Sequence, residues 1–300
     1  MVALHNHPVT FHHPSEDAMS HSITRRNFVK AAGLAATAAA IGRPAAAGEN
    51  TDRIKKAVKY GMIKTDGTPL EKLTLLKELG YDGVEPGVRD KVDREALLAA
   101  SQEAGIPIHG VVNGSVDNIP HAIDTAKFYG ASSVLLVAGR VNEDKSYAAN
   151  YDETQKVIRD AIPYAIEQNI LLLVENVWNN FLLSPLEMAR YIDELESDQV
   201  GVYFDVGNVV RFAWPEHWIP VLGKRIKKLD IKEYSRDKQQ NEGLWKGFQV
   251  KLGDGSVDWT AVRRELAALD YQGWGTAEVA GGDRDRLADI AQRMDTVLDL

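Results

Sequence analysis

Four carboxylates close apolar runs in the second half of this 300-residue chain: Leu171-Leu172-Leu173-Val174-Glu175, Val202-Tyr203-Phe204-Asp205, Lys228-Leu229-Asp230 and Gly275-Thr276-Ala277-Glu278. A carboxylate buried at the end of an apolar strand is costly unless a counter-charge or a metal ion compensates it. Any one of the four, taken alone, reads equally well as the N-cap of the next helix. Four of them at strand ends read better as donors to one shared cation. Oxygen donors suit Mg2+ or Mn2+ first, with Zn2+ as a further candidate. Two more strand-like runs carry Glu85 and His109, and Lys232 follows Asp230 by two places.

Positioning such a set requires strands that end on one rim. The chain supplies apolar runs at Ala57 to Ile63 and near 83–86, 106–112, 133–138, 170–175, 201–206, 226–232 and 274–279. Helical periodicity lies between them. The first helix starts at Pro69 with Leu70, Leu73, Leu76 and Leu79 on one face; others fall near 93–104, 119–129, 153–168, 185–196, 216–223, 258–269 and 284–298. Strand and helix alternate eight times, the arithmetic of a single α/β domain folded as a (β/α)8 TIM barrel, which places its chemistry at the C-terminal strand ends. A doubly wound sheet fits less well, because Gly61-Met62-Ile63-Lys64 after the first run lacks a glycine-rich phosphate turn.

The barrel is expected to span 48–300, because residues 1–47 have another character. Thr24-Arg25-Arg26-Asn27-Phe28-Val29-Lys30 precedes an uncharged apolar stretch from Ala31 to Ile41, and Ala45-Ala46-Ala47 supplies small residues for cleavage. The paired arginines and Ala-rich stretch resemble a twin-arginine (Tat) signal. An alanine-rich amphipathic helix is the bland alternative. The apolar stretch is too short to span a bilayer, so no stable membrane anchor is expected. The reading implies the Tat machinery as partner of the precursor and a periplasmic or extracellular mature protein. His5, His7, His12, His13 and His21 would leave with the signal, so His109, His121 and His217 remain.

Composition narrows the function from another side. Lys plus Arg number 35 against 43 Asp plus Glu, a net charge of −8, which excludes the basic footprint of a nucleic-acid binder. With no cysteine there is neither a disulfide framework nor a thiolate site.

The endings Val174-Glu175-Asn176, Phe204-Asp205-Val206-Gly207-Asn208, Asp230-Ile231-Lys232-Glu233-Tyr234 and Ala277-Glu278-Val279 resemble the sugar phosphate isomerase/epimerase family with the xylose isomerase-like TIM barrel. Leu79 to Glu85 and Leu252 to Trp259 support the likeness, which covers about 54–298. It implies a divalent ion held by Glu175, Asp205 and Glu278, with Asp230 standing where the family has a histidine. It also implies Glu175 and Glu278 as the two catalytic bases, Asn208 where epimerases often use a substrate-binding histidine, and Arg236 as a basic residue that touches substrate. Such a site removes a proton α to a carbonyl of a sugar through an enediolate. Return of the proton gives epimerisation or isomerisation.

The alternatives are elimination or hydration of 3-keto-glycosides on the same barrel, and a non-catalytic sugar-binding barrel. Export argues for free sugars or glycosides rather than sugar phosphates. Glu85, His109, Trp178, Asn208, Lys232 and Arg236 are the expected substrate contacts; Trp214, Trp245 and Lys251 are further loop candidates, and Trp259 and Trp274 read as core.

Overall fold

The computed structural model describes residues 48–300; the expected export signal, 1–47, lies outside the described residues. Eight parallel strands form one sheet in the order β2-β1-β8-β7-β6-β5-β4-β3. They are β1 (Ile54–Lys59), β2 (Gly83–Glu85), β3 (Val111–Val112), β4 (Ser133–Leu136), β5 (Leu171–Glu175), β6 (Val200–Asp205), β7 (Ile226–Ile231) and β8 (Gly273–Ala277). Single bridges, Val84 to Ile108 and Gly87 to Val112, join β2 to the β3 segment and nearly close the ring. This is the expected TIM barrel.

The weak seam has a local cause. The whole 106–112 stretch is expected as strand, but only Val111–Val112 pairs as one. Pro107 has no N–H to give, although its carbonyl accepts from Val84 N at 3.0 Å. Gly110 lets the chain pass where a Cβ would collide with Glu85 Oε1.

The first strand also differs from expectation. It starts at Ile54 and ends at Lys59, after which Tyr60–Met62 turns as a 3-10 helix. Lys56, inside the strand, is buried and paired with Asp295. The strand therefore delivers Lys59, rather than Ile63, towards the C-terminal end of the barrel.

Helices pack around the outside. Thr68 and Glu71 form a reciprocal capping box before Pro69–Glu78, and Leu73 and Leu76 on its inner face are fully buried. The barrel interior is different. Alternate residues of each strand point inward, and a small apolar layer of Leu135, Leu173 and Tyr203 lies under a polar rim. Along β7 the same alternation aligns Lys228, Asp230 and, just past the strand, Lys232.

Candidate active site

Glu175 and Asp205 end β5 and β6, Asp230 is the penultimate residue of β7 and Glu278 follows β8, four consecutive strands of the sheet. Each offers a carboxylate oxygen, and these oxygens lie within 4.8 Å of one another. Asp205 serves two purposes. Its Oδ1 accepts from Asn208 N at 2.8 Å, capping the short helix Val206–Val209, while Oδ2 faces Lys232 Nζ at 2.7 Å. The N-cap reading of this residue is thus met, while its second oxygen stays with the acidic cluster. Lys232 Nζ also lies 3.4 Å from Glu278 Oε2. The Asn208 amide donates to Asn176 O at 3.0 Å and reaches Glu175 Oε1 at 3.4 Å. Asn176 in turn exchanges hydrogen bonds with the backbone of Asp205, at 2.8 and 2.9 Å, locking β5 to β6.

A second polar layer lies beneath. Lys59 Nζ bridges Glu85 Oε2 at 2.7 Å and Asp230 Oδ1 at 2.9 Å. Tyr203 OH contacts Glu85 Oε2 and Thr276 Oγ1, both at 2.9 Å. Thr276 meets His109 Nε2 at 3.2 Å, and Lys228 Nζ meets His109 Nδ1 at 2.9 Å. Trp274 stacks on the imidazole at 4.2 Å. Lys59 and Lys228 escaped the sequence reading, Lys59 because its apolar run continues to Ile63 without a visible end. For Lys228 the signal was present in the two-residue spacing from Asp230.

Above the acids opens a cavity of about 650 Å3, whose lining includes Glu175, Trp178, Asn208, Lys232, Trp245 and Glu278. Three expected substrate contacts sit elsewhere, which corrects the sequence reading of their place. Glu85 and His109 are buried in the lower layer, engaged by Lys59, Tyr203, Lys228 and Thr276. Arg236 donates to the carbonyls of Val210 and Ala213 at 2.9 and 2.5 Å and covers Trp214, so it fastens the 210–214 loop. Lys251 pairs with Asp289 on the outside. Glu233 accepts from the backbone of Gly253 and Val257 and from Trp259 Nε1, which holds the loop around Gly253 to Asp258 in place.

The surroundings set the protonation. Burial, reinforced by Glu278, pushes the Glu175 carboxyl well above the usual range. Burial does the same to Asp230 against the pull of Lys59, and raises Asp205 against the pull of Lys232. For Glu278 burial acts upward too, but Lys232 and Lys59 outweigh it and hold the carboxyl below its ordinary value. Burial lowers Lys228 to about 8. Burial, then the charges of Lys228 and Lys59, keep His109 well below the usual imidazole range.

The residues present suit a hard divalent ion. Asp230 Oδ2 is buried without a hydrogen-bond donor. With every carboxyl ionised, the acids Glu85, Glu175, Asp205, Asp230 and Glu278 would face three ammonium groups, Lys59, Lys228 and Lys232, a formal excess of two negative charges that disfavours full ionisation in the absence of a cation. One divalent cation balances it. Contact with Lys232 does not exhaust Asp205 Oδ2 or Glu278 Oε2, because each carboxylate oxygen has a second lone pair. An all-oxygen set favours Mg2+ or Mn2+.

A parallel barrel with acids at its C-terminal rim defines a class of enzyme-bearing fold, and the family follows from sequence. The chain belongs to the xylose isomerase-like TIM barrel family, whose model matches residues 73–298. Among solved structures it resembles the apo 3-keto-D-glucoside 4-epimerase YcjR from E. coli, at 16% identity and TM-score 0.68 over 82% of this chain and 99% of that one. It also resembles the D-allulose 3-epimerase from Methylomonas sp. in complex with D-allulose, at 17% identity and TM-score 0.65 over 82% and 97%. The probable 3-DHS dehydratase AsbF from Bacillus anthracis shares the fold at 16% identity and TM-score 0.64, over 80% and 98%. No curated protein matches in sequence.

Proposed function

We propose that this chain is a divalent-metal-dependent enzyme of the sugar isomerase/epimerase type, which removes a proton α to a carbonyl. One observation carries the reading: four carboxylates from consecutive strand ends meet within 4.8 Å, and two of them, Glu175 and Glu278, line a cavity. Glu175, Asp205, Asp230 and Glu278 would hold Mg2+ or Mn2+, which lends positive charge to the substrate oxygens as the C–H bond breaks. Glu175 and Glu278, brought into the same cluster at the cavity wall, are the two groups that remove and return the proton. Lys232 steadies Glu278 and Asp205 and presents an ammonium to the cavity for a substrate oxygen. Trp178, fixed by its Nε1–H to Asn208 O at 2.9 Å, offers a flat wall to the sugar ring.

The similar structures named as sugar epimerases support this reaction class, and the one named as a dehydratase keeps elimination as an outcome where a leaving group stands β to the carbonyl. We further propose that the precursor is exported through its paired arginines and acts outside the cytoplasm. No helix among the described residues is long and apolar enough to cross a membrane. The test is solvent exchange. Deuterium from D2O should enter a ketose, aldose or 3-keto-glycoside with Mn2+-loaded protein and fail to enter with Glu278→Gln. Absence of incorporation across all three classes with metal bound would remove the proposal.

A further inference from the structure

The cavity over the acids does not end at Glu278. A second hollow of about 480 Å3 adjoins it, and both include Lys232, Trp245 and Glu278 in their walls. Phe248, Val279 and Ala280 supply much of the far wall of this second lobe. Glu233 also borders it, but its carboxylate is committed to Gly253, Val257 and Trp259 and has little left to offer a ligand. The first lobe differs: it presents Ser115 and Arg140, groups that can meet hydroxyls. Each lobe alone lies in the range of roughly 300–1000 Å3 typical of a small-molecule site.

The wall between them is aromatic and built. Trp178 packs against Phe248 at 4.7 Å and Trp245 at 5.1 Å, and Arg211 covers its other side at 4.9 Å. Trp245 is nevertheless 68% exposed, an unusual position for an indole that packs on two other aromatic rings. A large apolar face left open at the mouth of a cavity is a contact waiting for a ligand.

We propose that the substrate is a glycoside with a flat, weakly polar aglycone rather than a free monosaccharide. The reacting ring lies over the acids in the first lobe, and the aglycone lies in the second, between Trp245 and Phe248 on one side and Ala280 on the other. This rests on the reading of the acids as the reacting centre, but its test needs no reaction.

Unreactive p-nitrophenyl glycosides of common hexoses and pentoses, in both anomers, are titrated calorimetrically into the full-length, Mn2+-loaded protein beside their methyl counterparts and the matching disaccharides. For at least one sugar the nitrophenyl glycoside should bind about tenfold more tightly than the methyl glycoside, the scale of one well-stacked aromatic contact. Ala280→Phe, at an exposed position, fills the second lobe and should bring that ratio close to one; Trp245→Ala should lower it by a second route. Equal affinities, a ratio unmoved in both variants, or no binding by any glycoside overturns the proposal. Tighter binding of a disaccharide than of its nitrophenyl analogue also overturns it, replacing the flat aglycone by a second sugar. If deuterium exchange fails while the nitrophenyl preference holds, the reaction is wrong and the subsite stands.

Discussion

Lys59→Met should be the most damaging single change in the barrel interior that touches no proposed catalytic base. Its ammonium lies 2.7 Å from Glu85 Oε2 and 2.9 Å from Asp230 Oδ1, with 13% of the side chain exposed and none of either partner's. It also sits 4.6 Å above the ring of Tyr203. The substitution keeps most of the volume and leaves two buried carboxylates facing one another. Breaking a buried pair costs about 3–5 kcal/mol, because the surviving charge stays desolvated. For a domain of this length that corresponds to a fall in Tm of about 10 °C.

The assay is urea and thermal unfolding of metal-free protein at pH 7, so that no added cation replaces the lost ammonium. The double variant Lys59→Met with Asp230→Asn removes one of the stranded charges and should recover about 1–3 kcal/mol of the loss, a coupling readable from a double-mutant cycle. A Lys59→Met protein within about 1 kcal/mol of wild type, or strict additivity of the two substitutions, would show that Lys59 does not neutralise this layer.

Further outcomes follow from the same geometry. Glu175→Ala should weaken Mn2+ binding by more than the roughly 10–100-fold that loss of an outer-shell partner costs, measured by calorimetry on dialysed protein; unchanged affinity would exclude Glu175 as a ligand. The buried His109 imidazole should remain neutral in the folded protein well below the usual imidazole range, while its unfolded counterpart takes up a proton below about 6.5. Its contribution is therefore complete above that pH and lost as pH falls, at about 1.4 kcal/mol per pH unit, and ring NMR shifts that titrate near 6.5 in the native protein would contradict it. Arg25→Lys with Arg26→Lys should leave the precursor in the cytoplasm, checked by fractionation; normal processing of that variant would end the twin-arginine reading.

The parts of the site legible in sequence are those where an apolar run stops on an acid. Glu175, Asp205 and Asp230 are carried by β5, β6 and β7, strands that keep their expected limits to within a residue, so their strand-end positions followed directly. Where a strand edge is blurred, the reading moved. The run Ala57 to Ile63 hides a turn at Tyr60, and with it the place of Lys59 at the end of the strand. Contacts across the barrel, such as Tyr203 to Glu85 or Trp274 on His109, depend on which layer each inward residue occupies. Strand tilt and register fix that layer, and a single sequence does not display them. Arg236 shows the same limit in a loop. Its position by motif suits a substrate contact, but the carbonyls of Val210 and Ala213 lie within reach and take its hydrogen bonds first.

The lower layer explains how a carboxylate can stand where the resemblance leads one to expect an imidazole. A histidine ligand brings one donor atom and no charge. Asp230 brings two oxygens and a negative charge, both unwelcome in a site already holding Glu175, Asp205 and Glu278. Lys59 answers each difference at once. It lies 2.9 Å from Oδ1, an ammonium shared with Glu85 at 2.7 Å, so it offsets part of the charge and faces one oxygen, and Oδ2 is left buried without a donor. Asp230, partly offset by Lys59, thus turns one oxygen to the cluster, as an imidazole would present one nitrogen. What changes is hardness: oxygen in place of nitrogen moves the preference away from Zn2+ and towards Mg2+ or Mn2+. The departure at position 230 and the unanticipated lysine at position 59 are therefore one feature, and neither is intelligible without the other.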